Sequence, residues 1–219
     1  MDIPILIPVN NEQTTIGQLV RECCRYANVV YVVDDGSEDR SAKVAQNEGA
    51  IIVKHNNNKG KGASLRTGFH EILKKGFKAV IVMDGDGQHD PLGIPKFIQQ
   101  FEQSKADLIL GNRTNRKAMP FMRRITNRFM SRIISSIVGQ RIPDSQCGFR
   151  LIKKEILEKI NLLSSNFEIE SEMIIKAGRI GCKIVSVPIS TIYQQEKSKI
   201  KPIIDAWRFL RLLVKDGTC

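Results

Sequence analysis

The chain has few of the features that mark a zinc-clamped, disulfide-stapled or membrane-spanning protein. Its five cysteines (Cys23, Cys24, Cys147, Cys182, Cys219) are odd in number and show no C-x-x-C spacing. The three histidines, His55, His70 and His89, are scattered. Both facts argue against a structural zinc site, and free thiols in a reducing cytosol account for the cysteines most simply. No stretch approaches the roughly 18 apolar residues that a spanning helix needs. The start of the chain has Asp2 where a signal peptide has basic residues, and its apolar run stops at Asn10-Asn11, so a secretory leader is not expected. With one tryptophan and three tyrosines there is no aromatic-rich strand on which bases could stack, and no nucleic-acid partner is expected. The G-x-x-x-x-G-K-S/T spacing of a P-loop is also missing.

What is present is an ordinary globular composition, 42% hydrophobic and 26% charged over 219 residues, enough for one sizeable domain with a buried core. The net charge of +11 favours anionic partners. Short apolar, β-branched runs predict strands over Ile3–Val9, Val29–Val33, Ala50–Lys54, Ala79–Met83 and Asp107–Leu110. Helical periods lie between them near Thr14–Tyr26, Asp39–Asn47, Ala63–Lys75 and Leu92–Ser104. Runs without polar alternation suit strands covered on both faces, and strand-helix alternation implies a single α/β domain with a mostly parallel central sheet flanked by helices.

In such a sheet ligands bind beyond the carboxyl ends of the strands, and the polar clusters sit there. Pro8-Val9-Asn10-Asn11-Glu12 follows the first strand, Asp34-Asp35-Gly36-Ser37 the second, and Asp84-Gly85-Asp86-Gly87-Gln88 the fourth. Two carboxylates around a glycine can face one hard cation, although an Asp-Gly turn reads the same way locally. Asp35 suits the hydroxyl and imino donors of a nucleotide. Lys59-Gly60-Lys61-Gly62 is a flexible basic loop opening a helix, a phosphate cradle in outline.

Two regions carry the excess positive charge. Arg113, Arg116, Arg123, Arg124, Arg128 and Arg132 crowd about twenty residues; the spacing of the last three aligns them along one side of a helix, with Met122, Ile125, Phe129, Ile133 and Ile134 beside them. The pattern fits a solvated basic face or a phosphate-binding surface beside a lipid path. Pro202–Lys215 is strongly amphipathic, with Ile203, Trp207, Leu210 and Val214 on one stripe and Arg208, Arg211 and Lys215 on another, which suits an interfacial helix or packing on protein. Residues 1–192 are thus expected to form the catalytic domain and 193–219 a basic amphipathic segment.

Together with Asp144-Ser145-Gln146-Cys147-Gly148-Phe149-Arg150, the three turn motifs resemble family 2 glycosyltransferases of the GT-A fold, in the dolichol-phosphate mannose synthase-like, polyprenyl-phosphate branch. The resemblance covers nearly the whole chain. It implies that Pro8, Glu12, Asp35 and Lys61 contact the donor nucleotide. Asp84 and Asp86 would coordinate Mg2+ or Mn2+ against the donor diphosphate, with Gln88 close by. Asp86, Arg113 and Arg128 would be catalytic, and Arg113, Arg128 and Ser131 would receive the acceptor phosphate. The expected partners are a nucleotide-sugar, a polyprenyl phosphate and the anionic inner face of the cytoplasmic membrane, with peripheral attachment from the cytoplasm; a homo-oligomer is left open. The family often has an arginine and a glycine before the Ser-Lys pair, whereas Gln194, Gln195 and Glu196 precede Lys197-Ser198-Lys199 here. Two rivals stand beside this reading. One is the same fold acting on a saccharide or protein hydroxyl, with a base near Asp144; the other is a non-catalytic basic membrane module.

Overall fold

A computed structural model describes residues 2–115 and 119–192. The expectations for Arg116 and for everything beyond residue 192, including the amphipathic stretch Pro202–Lys215, lie outside the described residues. Seven strands form one sheet: β1 (Ile5–Val9), β2 (Val30–Asp34), β3 (Ile51–Lys54), β4 (Ala79–Val82), β5 (Leu108–Arg113), β6 (Arg150–Lys153) and β7 (Ile184–Ile189). Among the described residues seven α-helices flank it: α1 (Ile16–Cys23), α2 (Ser41–Asn47), α3 (Lys61–Leu73), α4 (Ile94–Ser104), α5 (Phe121–Val138), α6 (Lys154–Lys159) and α7 (Ile169–Arg179).

The strand order is β3-β2-β1-β4-β6-β5-β7, with every pair parallel except those that β6 makes with β4 and β5. The apolar runs of β1, β2 and β4 are buried on both faces, as their lack of polar alternation predicts, whereas the edge strand β3 leaves Ile51 exposed. Leu6, Val80, Val82, Leu108 and Leu110 join Leu65, Phe69, Ile134 and Met173 of α3, α5 and α7 in one core layer. Ile5, Ile7, Ile81 and Ile109 join Ile16, Leu19, Ile94 and Phe97 of α1 and α4 in the other. Phe97 is fully buried and stacked 4.2 Å from Phe149; truncating it to alanine would cost about 3–5 kcal/mol.

Helix boundaries shift by a turn or less from the sequence expectation. The stretch expected from Leu92 opens instead with a 3-10 turn, Pro91–Gly93, that the Asp90 side chain caps by accepting from Leu92 N. The elements not anticipated are β6, β7, α6 and α7. Of these β6 matters most for function. Because it runs antiparallel, its first residue Arg150 pairs with Val82, the last residue of β4. The segment leading into β6, Asp144–Phe149, therefore arrives at the same rim as the turn after β4.

Candidate active site

The turns after β1, β2 and β4 are laced together by hydrogen bonds. Asn10 Nδ2 donates to Asp35 O at 2.9 Å, Asn11 N to Ser37 Oγ at 2.9 Å, and Thr15 Oγ1 to Gly85 O at 2.8 Å. They border a cleft of about 330 Å³. Of the residues singled out from sequence, Pro8, Glu12, Asp35, Lys61, Asp84, Asp86, Gln88 and Arg113 line it.

The tandem acids after β2 divide their work. Asp34 is buried and accepts from Ser37 N, closing the turn. Asp35 accepts from Lys59 N at 2.9 Å and Gly60 N at 2.8 Å, and His55 Nδ1 lies 2.7 Å from its Oδ1. It therefore clamps the loop that enters α3 while still facing the cleft. His55, unanticipated as a site residue, is itself held by Thr67 Oγ1 at 2.9 Å. Gly60 has φ of 96°, and a Cβ there would run into the Ser165 carbonyl, so the loop needs glycine.

That loop delivers Lys61 to the centre of the cleft. Its Nζ lies 2.5 Å from Asp84 Oδ1 and 2.5 Å from Glu170 Oε1, with the Phe167 ring 5.5 Å away. Burial opposes the charge on Lys61, but the two carboxylates outweigh burial and raise its pKa. Burial likewise pushes Asp84 up, yet Lys61 and then His89 overcome it and hold Asp84 at about 2. Asp86 moves the other way, raised by burial and then by the charge of Asp84. Two carboxylates that disfavour each other's charge are a donor set that a hard cation would relieve. Gly148 makes room for the first of them, since a Cβ there would overlap the Asp84 carboxylate. No group of three or more acids, histidines or cysteines among the described residues is placed to hold a metal ion by itself. An ion at Asp84 and Asp86 would thus take its other ligands from phosphate and water, as Mg2+ and Mn2+ do.

The opposite wall is basic and more deeply buried. Arg113 Nε donates to Asp144 Oδ2 at 2.7 Å and Nη2 to Oδ1 at 2.9 Å, a bidentate pair with both side chains almost fully buried. Asn127 Nδ2 adds a third bond to Asp144 at 3.0 Å. Ser131 is buried beneath, accepting from Ser145 N with Asn127 Oδ1 3.3 Å away. Fully buried Arg150 ties the segment before β6 to α7, donating to Cys147 O, Ser145 O and Glu170 O. Of the arginine-rich stretch, Arg123 lines the cleft with Arg113. Arg128 and Ser131 do not reach it. Arg128 is exposed on the outer face of α5, beside Phe129 at 61% exposure, Met122 at 66% and Ile125 at 47%.

Sequence reasoning missed the wall made by Asn166, Phe167, Glu168, Glu170 and Ser171 at the start of α7. Its only local signal is the alternation of Glu168, Glu170 and Glu172, which acids at a helix start would explain equally well.

The Glycosyl transferase family 2 model matches residues 5–161, from β1 through α6. The chain belongs to that family. It is a glycosyltransferase, with the GT-A architecture of one mostly parallel sheet between helical layers. It is 34% identical to an uncharacterised protein of Methanocaldococcus jannaschii over 97% of this chain and 91% of that one. It is 30% identical to the UDP-N-acetylglucosamine–dolichyl-phosphate N-acetylglucosaminyltransferase of Methanococcus voltae, over 88% and 86% of the two chains. An undecaprenyl-phosphate mannosyltransferase of Micrococcus luteus is 28% identical over 89% and 85%. Among solved structures, Mycobacterium tuberculosis glucosyl-3-phosphoglycerate synthase, in a complex with Mn2+, UDP-glucose and phosphoglyceric acid, superposes with a TM-score of 0.80 at 17% identity. That match covers 98% of this chain and 79% of the other, and is a likeness of fold.

Proposed function

We propose that this glycosyltransferase moves a hexose from a UDP- or GDP-linked donor to a polyprenyl phosphate, with a divalent cation and inversion at the anomeric carbon. The observation that carries the reading is one cleft with a paired-acid turn on one wall and arginines on the other, opening beside the exposed apolar and basic face of α5. Pro8, Glu12 and Asp35 lie where the nucleotide would sit, and the relatives named for dolichyl and undecaprenyl phosphate support the acceptor.

Asp84 and Asp86 would hold Mg2+ or Mn2+, which when bound would neutralise the donor diphosphate and its developing charge. Lys61 stands beside Asp84 and adds a fixed positive charge to the same side. Arg113 and Arg123 draw in the acceptor phosphate and offset repulsion between two anionic substrates. A phosphate oxygen is already anionic at neutral pH. It forms the new bond to the anomeric carbon as the bond to the nucleoside diphosphate breaks, and no proton has to move. Asp144 is unsuited to act as a base, because Arg113 and Asn127 already occupy its oxygens; this weighs against the hydroxyl-acceptor rival. Ser131 acts through the Asn127–Asp144–Arg113 chain, while Arg128 meets anionic headgroups. The described residues include no helix long and apolar enough to cross a membrane, and the reading places the enzyme peripherally on the inner face of the cytoplasmic membrane.

The test is a panel of UDP- and GDP-sugars with undecaprenyl or dolichyl phosphate and Mg2+, scored for lipid-linked sugar. Accumulation of that product supports the proposal. Turnover only with a soluble saccharide or peptide acceptor contradicts it.

A further inference from the structure

Three glutamates open α7, and they are not equivalent. Glu170 is paired with Lys61. Glu172 accepts from Leu163 N and Ser164 N and pairs with Lys176, so it braces the loop before the helix. Glu168 also lines the cleft, but its Oε2 is buried and accepts no hydrogen bond among the described residues. The hydroxyl of Thr191, on another part of the same lining, is in the same condition. Buried polar atoms are nearly always satisfied, so an orphaned carboxylate oxygen on a cleft wall points to a ligand that brings a donor.

A carboxylate is an acceptor only. It matches hydroxyl or amide N–H groups and repels another carboxylate. The wall carrying Glu168 reaches the reaction centre, since Lys61 bridges Glu170 to Asp84 at 2.5 Å on each side. With the nucleotide assigned to the β1 and β2 turns and the diphosphate to Asp84 and Asp86, the donor's sugar is the part left to face α7. We propose that Glu168 is a specificity-determining contact for the donor sugar: it accepts hydrogen bonds from hydroxyls and makes the cleft select a neutral hexose or N-acetylhexosamine over a uronic acid. This inference rests on the donor-binding reading above.

The experiment measures, in Mg2+, the affinities of nucleoside diphosphate, neutral nucleotide-sugar and nucleotide-uronate in the base series that the protein prefers. Wild type is compared with Glu168→Gln and Glu168→Ala, and thermal melts monitor folding. Wild type should bind the neutral sugar at least 10-fold more tightly than the uronate. E168A should weaken the neutral nucleotide-sugar roughly 10-fold, the effect of about one charge-assisted hydrogen bond, and leave the bare nucleoside diphosphate within about twofold. E168Q, nearly isosteric, should narrow the discrimination against the uronate. Unchanged sugar affinity in E168A with intact nucleoside diphosphate binding overturns this inference alone, as does a wild-type preference for the uronate. If wild type binds no nucleoside diphosphate, the inference and the donor-binding reading both fall.

Discussion

Two acid–base pairs stand at the cleft, and they differ in how deeply they are buried and held. In Lys61–Asp84 the acid is 24% exposed and the lysine 13%, and both line the cleft. In Arg113–Asp144 the arginine is 5% exposed and the acid not at all, with Asn127 and Gln146 N also donating to the carboxylate. The first pair can be re-partnered when a ligand arrives; the second is fixed before any ligand comes. In the proposed reaction the acid is the working group of the first pair and the arginine of the second. In that proposal the cleft keeps an adaptable donor wall and a rigid acceptor wall.

Breaking the donor pair should affect chemistry far more than folding. Replacing both Asp84 and Asp86 with Asn should lower transfer by at least about 1,000-fold, the scale of losing a main electrostatic element, with little change in far-ultraviolet circular dichroism. The acceptor pair should respond in stability. Asp144→Ala strands a buried guanidinium, at about 3–5 kcal/mol, and the melting temperature should fall by roughly 6–20 °C. Arg113→Lys keeps the charge but loses the bidentate fork; it should raise the KM for lipid phosphate about 10-fold, with donor affinity unchanged.

A single change in the donor turn sharpens the contrast. The raised pKa of Asp86 means that its charge opposes folding, so Asp86→Asn should raise the melting temperature at neutral pH while lowering activity. Asp84 has the opposite sign. With its pKa held at about 2, its stabilising contribution is complete above its unfolded pKa of roughly 4 and is lost as pH falls toward 2. Lys61→Met should flatten that part of an acid-unfolding profile. The smallest effect should come from the outer face of α5. Arg128→Ala removes about 1 kcal/mol of headgroup attraction, so binding to anionic vesicles should weaken about fivefold at low salt and the difference should fade in high salt.

The cleft residues after β1, β2 and β4 were legible in the sequence because they follow strand ends in short contiguous motifs, where a period and a turn residue are enough to place them. Lys61 was legible as part of a basic loop, although its pairing with Asp84 and Glu170 was not. The acceptor wall resisted reading. β6 has four residues beginning with Arg150, and its burial comes from β4 and β5, which are distant in sequence. Asp144 is locked by Arg113, 31 residues earlier, so no local spacing could distinguish a base from a brace. The spacing of Arg124, Arg128 and Arg132 did predict a helix, realised as α5. It could not show that Ser131 points inward to Ser145 while Arg128 points out.

The central claim is that Asp84 and Asp86 bind the donor diphosphate through a divalent cation, and isothermal titration of UDP and GDP tests it most directly. The account predicts binding in Mg2+ or Mn2+ that disappears with EDTA and in the double Asn variant. Nucleoside diphosphate binding that survives both chelation and the double substitution would contradict it.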